Sequence, residues 1–255
     1  MKYVSELQQK KIFNTAYVTE LTGGENTAKS LLQMYIKKGY IVRIKQNMYA
    51  ATELVGGGVL ANKFEIGSMI NDSAYISHHS ALEFHGYANQ MYYEVTVSSI
   101  AKFKEFEYDG ITYTAYSPKI TDGITTPTAS PLIRVTDTER TVIDCIYDIT
   151  RSGGIEEVLE CFNVIPYLDE ERLLRYLAEY NQIYLYQKTG YILEALKDKL
   201  SLSDTFFDTC ESKINNRKKH FTEAYYGKQV YHSKWKLYAP ENPFEILNEG
   251  DDELV

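Results

Sequence analysis

Cysteine is scarce in this chain. Three occur, at positions 145, 161 and 210, and no two stand in C-x-x-C spacing. An odd number without that spacing argues against a disulfide framework and against a zinc knuckle. Long apolar runs are missing as well. No stretch approaches the ~20 apolar residues that a membrane span requires, so no membrane partner is expected. The opening residues MKYVSELQQKK hold no apolar core of a secretory signal. A reducing, cytoplasmic setting is the compartment these absences point to. Internal repeats and low-complexity tracts are absent too, which leaves an ordinary globular organisation.

Positive charge is in short supply on average. The 255 residues carry 27 Lys and Arg against 35 Asp and Glu, a net charge of −8, which taken alone speaks against a nucleic-acid binder. The average hides an asymmetry. Residues 1–50 hold eight basic and three acidic side chains, a net of +5; the other 205 hold 19 and 32, a net of −13. A small basic module on an acidic body is a reason to look for a nucleic-acid surface at one end. The length suggests about two domains at the usual ~100–200 residues each, and 44% hydrophobic content is enough for a core in both.

The periodicity predicts a helix over 3–13, a short helix from Thr15 that stops at Gly23-Gly24, and a third helix from about Asn26 to Gly39. YIVRIKQNMYAA then reads as strand, turn at Gln46-Asn47, strand. Three helices followed by a β-hairpin is the order of a winged helix-turn-helix. VGGGV at 55–59 reads as a linker. Beyond it come a helix near 60–70, strands at SAYIS, YYEVTVSS and LIRV, and a hairpin turning on Asp109-Gly110. TDTERTVIDCIYDIT opens with a capping box, Thr136 at the cap and Glu139 at the third helical position. From about 154 the pattern is mostly helical, and the last 17 residues, acidic in character, are expected to fray. The expected fold class is α+β: an N-terminal winged helix-turn-helix domain at 1–53, then a larger mixed α/β domain at 54–255, helical from about 154.

With Leu31, Leu32 and Tyr35 turned inward, Lys29, Ser30, Gln33 and Lys37 fall on the opposite face of the third helix, and Thr27 sits in its first turn. A helix-turn-helix protein presents that face to the major groove. Gln can read adenine, Lys guanine or phosphate, and Ser either. The hairpin adds Arg43, Lys45, Gln46 and Asn47, a set suited to phosphates or a minor groove.

YISHHSALEFHGY raises the question of catalysis. Ser77 can cap a helix from His78 to His85 that ends at Gly86. A zinc protease places two histidines four apart with a glutamate between them; here His79 is followed four later by Glu83, and His78 and His85 are seven apart. The reading is a structural helix, with no metal and no catalytic residue assigned. Asp137, Glu139 and Asp144 have the chemistry for Mg²⁺, but the capping box accounts for Glu139 and an i,i+4 pair with Arg140 for Asp144. Glu211-Ser212-Lys213 is a nuclease-like E-x-K that falls in a helical pattern. Residues 211–238 carry seven Lys and Arg against two Glu, many tyrosines and the single Trp, a composition that fits single-strand binding or lysine stems lying over surface rings.

LLQMYIKKGYIVRIKQNMYA, YISHHSALEFHGY, TDTERTVIDCI and YQKTGYILEAL, in this order and spacing over roughly 10–200, resemble the AbiEi-family antitoxins of abortive-infection toxin–antitoxin systems. The resemblance implies a winged-helix domain that binds the operon's own promoter; inverted repeats, with two copies self-associating on the DNA, are the binding mode expected of a helix-turn-helix repressor. It implies a C-terminal domain that serves neutralisation and cooperative repression. It also implies a nucleotidyltransferase-like toxin as functional partner, without a stable complex, and neither enzymatic activity nor a cofactor. The alternatives are a metal-dependent, nuclease-like body delivered to nucleic acid by the basic module, or a plain transcription regulator with no toxin partner.

Overall fold

The computed structural model describes residues 2–221 and 228–247. The elements run, in order, α1 (Val4–Lys10), β1 (Ile12–Phe13), α2 (Thr15–Thr22), α3 (Glu25–Lys37), β2 (Ile41–Lys45), β3 (Met48–Ala51), α4 (Lys63–Ser68), β4 (Tyr75–Ile76), α5 (His78–His85), β5 (Glu94–Ser98), β6 (Phe106–Tyr108), β7 (Ile111–Tyr116), β8 (Ile124–Thr125) and β9 (Val135–Thr136). Then follow α6 (Thr138–Tyr147), α7 (Ile155–Val164), α8 (Glu170–Tyr180), α9 (Ile183–Glu194), α10 (Lys197–Leu200), α11 (Asp204–Ser212), β10 (Lys219–His220), β11 (Val230–His232), β12 (Leu237–Ala239) and a 3₁₀ turn, Pro243–Leu247. The protein is mixed α+β, and among the described residues no helix is long and apolar enough to cross a membrane. It forms two compact units. The first comprises residues 1–76, 93–117 and 126–134; the second comprises 77–92, 118–125 and 135–255.

In the first unit Leu7, Val18, Ala28, Leu32, Tyr35 and Ile41 form a core under α1–α3. The expected helix over 3–13 is shorter than its periodicity suggests. It stops at Lys10, because Ile12 and Phe13 are both buried and pair with Ala50 and Tyr49 of β3. β1, β3 and β2 make a three-stranded sheet in that order. α2 begins where the Asn14 side chain accepts a hydrogen bond from the Tyr17 amide, and ends on Gly23 at φ +78°. That is the left-handed stop the Gly-Gly pair predicts. α3 starts at Glu25, with Gly24 at its cap, so Asn26 lies inside the helix rather than at its cap.

The glycine stretch at 55–59 is not an extended linker. Thr52 bridges to Val59 and the Glu53 amide donates to Gly58 O at 2.8 Å. Lys11 Nζ reaches Glu65 Oε1 at 2.8 Å on α4. Residues 1–53, expected to stand as a domain, therefore lie in one unit with α4 and a second sheet. There β4 pairs antiparallel with β5, β5 parallel with β7, and β6 antiparallel with β7. The β6–β7 turn is Asp109-Gly110, both at positive φ.

In the second unit α5–α11 pack around Val142, Ile146, Leu159, Phe162, Leu177, Ile192 and Phe206. α6 is capped by Asp137, whose side chain accepts from the Arg140 amide, and not by Thr136. Thr136 belongs to β9, where its hydroxyl meets that of Thr141 at 2.7 Å. The capping box that does form is Asn62 with Glu65 on α4. The C-terminal part is less uniformly helical than its pattern suggests, because β10, β12 and β11 make a small sheet in that order. The expected fraying from 239 does not hold as far as Leu247: Ala239 and Ile246 are buried. Residues 248–255 lie outside the described residues.

Candidate nucleic-acid interface

α3 buries Ala28, Leu32 and Tyr35. The 3.6-residue period then turns Asn26, Ser30, Gln33 and Lys37 outward, with Thr27 and Lys29 on the flanks. Thr27, Lys29, Ser30, Gln33 and Lys37 are all exposed. Lys29 sits 3.9 Å from Glu25 one turn earlier, with both side chains largely in solvent. Such a pair contributes a few tenths of a kcal/mol, so Lys29 is free to exchange partners. Ser30, Gln33 and Lys37 make no side-chain hydrogen bond within the described residues. Between the start of α2 and α3 lies an open hollow of about 590 Å³, lined by Thr15, Thr19, Glu20, Glu25, Lys29 and Asn47 among others. Its two carboxylates make that hollow a poor seat for phosphate, which leaves the outward side of α3 as the basic surface.

The hairpin residues are placed less uniformly. Arg43 and Gln46 are exposed, and Arg43 Nε donates to Lys45 O at 3.3 Å. Asn47 takes φ +58° at the turn, and its Oδ1 accepts from the Thr15 amide at 3.0 Å. That bond ties the hairpin tip to the first turn of α2 and leaves only the NH₂ side of the amide outward. Lys45 is half-buried, with Nζ 5.3 Å from the Phe103 ring centre and 4.9 Å from that of Phe106. Burial pulls its pKa below the ordinary lysine value. Lys45 thus holds the hairpin against an aromatic pair, and Arg43 is the more available cation.

The histidine segment in the second unit forms the expected helix, α5, from Ser77 to a left-handed Gly86. Its three histidines have separate surroundings. His78 Nδ1 lies 2.9 Å from Ser77 Oγ, and burial lowers its pKa, so the ring is neutral. His85 Nε2 donates to Thr136 O at 2.7 Å. His79 Nε2 donates to Glu157 Oε1 at 2.9 Å on α7, a pairing 78 residues apart that no local spacing announces. The same oxygen accepts from the amides of Asn89 (3.1 Å) and Gln90 (3.0 Å) and from Cys161 Sγ (3.3 Å). Burial alone would raise the Glu157 pKa. The donors, Gln90 foremost, then His79 and Cys161, outweigh it and hold the carboxyl below its usual value.

His79, Glu157 and Cys161 lie within 4.8 Å of one another and are all buried, the one such group of potential metal ligands among the described residues. Without a metal, burial pushes the Cys161 thiol up to about 12 and keeps it protonated, so a metal would have to displace that proton. Four donors occupy Glu157 Oε1, while Oε2 is buried without a hydrogen bond. The arrangement works as a hydrogen-bonded knot between α5, the segment 89–90 and α7.

The carboxylates of TDTERTVID are likewise occupied. Asp137 caps α6 with Oδ1 and accepts from the Tyr176 hydroxyl with Oδ2 at 2.6 Å. Glu139 accepts from the Asp169 amide at 2.9 Å, at the start of α8. Asp144 accepts from Arg140 Nε at 2.6 Å and from the Tyr180 hydroxyl at 2.5 Å. Arg140, almost fully buried, spends its other nitrogens on Asp122 O and Ile120 O. Arg140–Asp144 lies within α6, Tyr180 joins α8 to α6, and the other contacts tie these helices to loops, so each carboxylate serves the packing of the unit. Glu211 and Ser212 end α11 on the surface.

No family model matches the chain, and no curated protein matches it. Among solved structures it is similar to the Rv2827c protein of Mycobacterium tuberculosis. The TM-score is 0.65 at 15% sequence identity, over 98% of this chain and 94% of that one. The likeness is one of fold. It spans nearly the whole of both chains, so both compact units belong to the shared architecture. It does not assign a role to any side chain.

Three residues around the site go unmarked by local spacing. Asn26 was assigned to the cap, so its outward amide on α3 was not counted. Phe103 and Phe106, which engage Lys45, lie some 60 residues away in a hairpin whose placement no spacing encodes.

Proposed function

We propose that this protein is a DNA-binding transcriptional repressor of the AbiEi antitoxin kind. The reading takes the first unit's three helices and hairpin as a winged helix-turn-helix, with α3 entering the major groove and the β2–β3 turn as the wing. The single observation that carries it is the outward side of α3. Ser30, Gln33 and Lys37 are exposed there with no side-chain hydrogen bond among the described residues, and Arg43 of the hairpin is exposed too. The net +5 of residues 1–50 in a chain of −8 supports it, since clustered cations drive counterion release on duplex DNA. Order and pairing support it too, because β1 joins the hairpin to make the three-stranded sheet behind the helices.

The test uses the full chain and a duplex from upstream of its own gene. Arg43→Ala and Lys37→Ala each remove one phosphate contact, so each lowers the salt slope by about 0.9 and weakens binding to all sequences alike. Gln33→Ala relaxes preference at one base pair by about 1–3 kcal/mol. Folded variants that bind as the parent does would sink the assignment. The antitoxin half has its own readout. Cells expressing a neighbouring nucleotidyltransferase-like toxin survive with Arg43→Ala if neutralisation is separate from promoter binding. Equal loss of survival and of promoter occupancy would reduce the protein to a regulator.

A further inference from the structure

The second unit carries a surface that the repressor reading does not use. β10, β12 and β11 form a sheet in which His220 and Tyr231 both stand opposite Tyr238. Strand alternation sends Leu237 and Ala239 of β12 into the core and Tyr238 outward. The three rings therefore form a row across one face. His220 and Tyr238 lie 5.1 Å apart at 23°, and Tyr231 and Tyr238 lie 5.1 Å apart at 43°. His220 and Tyr231 are exposed and Tyr238 is half-buried. Tyr184 fixes the edge of this face, its hydroxyl donating to His220 O and Phe221 O.

The two described segments that carry this sheet are basic. Residues 212–221 and 228–240 hold seven Lys and Arg and no Asp or Glu, in a chain whose net charge is −8. Lys234 pairs with Glu194. Arg217, Lys218, Lys219 and Lys228 are exposed, with no ion pair among the described residues. Lys218 Nζ stands 4.6 Å over the Tyr231 ring, which places a cation at one end of the row.

We propose that this sheet face binds single-stranded nucleic acid, with bases stacking on His220, Tyr238 and Tyr231 and phosphates meeting Arg217, Lys218 and Lys219. A row of exposed rings flanked by cations is what unstacked bases need, because every base offers a π-face and every linkage a charge. Duplex DNA hides its base faces in the stack and could use only the lysines. The aromatic row therefore selects single strands over duplex, and this site is separate from the duplex-binding face proposed for the first unit.

The experiment measures anisotropy of fluorescein-labelled 12-mers of thymidine and of uridine against the full chain, with an unlabelled 12-base-pair duplex as competitor. Binding of either single strand that survives excess duplex supports the site. Tyr231→Ala and Tyr238→Ala should each weaken it roughly 5- to 150-fold, while Tyr231→Phe and Tyr238→Phe keep it. Lys218→Ala should lower the salt slope by about 0.7. Should Tyr238→Ala lower the melting temperature, Tyr238→Leu, which keeps the bulk without a π-face, replaces it and should lose binding to the same extent. Failure of both single strands to bind would overturn the proposal. So would complete displacement by duplex, or single-strand binding that the ring variants leave unchanged.

Discussion

Gly190 lies in the interior of α9, and a Cβ there would meet Trp235 ring carbons at 2.1, 2.4 and 2.4 Å. Ordinary carbon contacts begin near ~3.5 Å, so in Gly190→Ala the indole must retreat by roughly 1.4 Å. Trp235 has no room for that: it is 1% exposed, and its Nε1 donates to Glu194 Oε2 at 2.6 Å. Overpacking of this kind costs about 1–3 kcal/mol, and losing a hydrogen bond to a charged acceptor about 1.5–3 more. Alanine recovers about 1 kcal/mol through its helix propensity. The net expectation is a loss of about 2–5 kcal/mol, or roughly 5–15 °C in melting temperature for a unit of this size.

Trp235 is the only tryptophan in the chain, so its emission reports this packing directly. Thermal melts followed by emission should show a lowered midpoint and a red-shifted native spectrum in Gly190→Ala. In a Trp235→Leu background, followed by circular dichroism, the same substitution should turn neutral or stabilising by up to about 1 kcal/mol, because only propensity remains. A Gly190→Ala protein as stable as the parent, with unchanged emission, would refute the reasoning.

Lys188, 7% exposed, donates to Ile146 O near the end of α6, and burial pulls its pKa down to about 8. The unfolded chain then binds more protons than the folded one between about pH 8 and 10.5. The wild type should accordingly gain roughly 3 kcal/mol relative to Lys188→Met as pH rises across that window. Parallel stability curves for the two proteins in urea would contradict the assigned pKa. Glu157→Ala should cost at least about 3 kcal/mol, since it strands the amides of Asn89 and Gln90 together with His79. Elemental analysis of unchelated wild type should find no stoichiometric zinc; one zinc per chain, lost in His79→Ala, would turn the knot into a metal site. Asp144→Ala should cost about 3–5 kcal/mol by leaving the buried Arg140 charge uncompensated, measured by chemical denaturation.

Local signals carried most of the elements. Gly23 ended α2, Asp109-Gly110 turned a hairpin, and the inward set Leu32 and Tyr35 oriented α3 correctly. What could not be read was whatever depends on distant partners. Thr136 with Glu139 satisfies a capping pattern, yet Asp137 caps α6 and Glu139 turns instead to the Asp169 amide 30 residues on. Ile12 and Phe13 continue a helical period but are taken by β3. Lys45 has the charge to meet a phosphate, and no spacing announces that it also packs on Phe103 and Phe106. In each case local propensity was satisfiable in two ways, and tertiary pairing chose.

The same contrast bears on what the family resemblance can mean. Three of the four segments that carry it are largely buried, mostly in the second unit, and many of their polar side chains are bound internally. His79 and His85 bind Glu157 and Thr136 O; Arg140 and Asp144 bind each other; Gln187 donates to Trp235 O; Gly190 makes room for Trp235. Such residues constrain the sequence because a buried polar group without its partner is costly, whatever the protein does. They therefore mark an architecture. Only the remaining segment, 31–50, exposes the side chains it contributes, Gln33, Lys37, Arg43 and Gln46. On the proposed reading, contact with DNA falls to the one segment whose side chains are free to touch something else. Substitutions on the outward side of α3 should accordingly change binding without changing stability, whereas those in the other three segments should do the reverse.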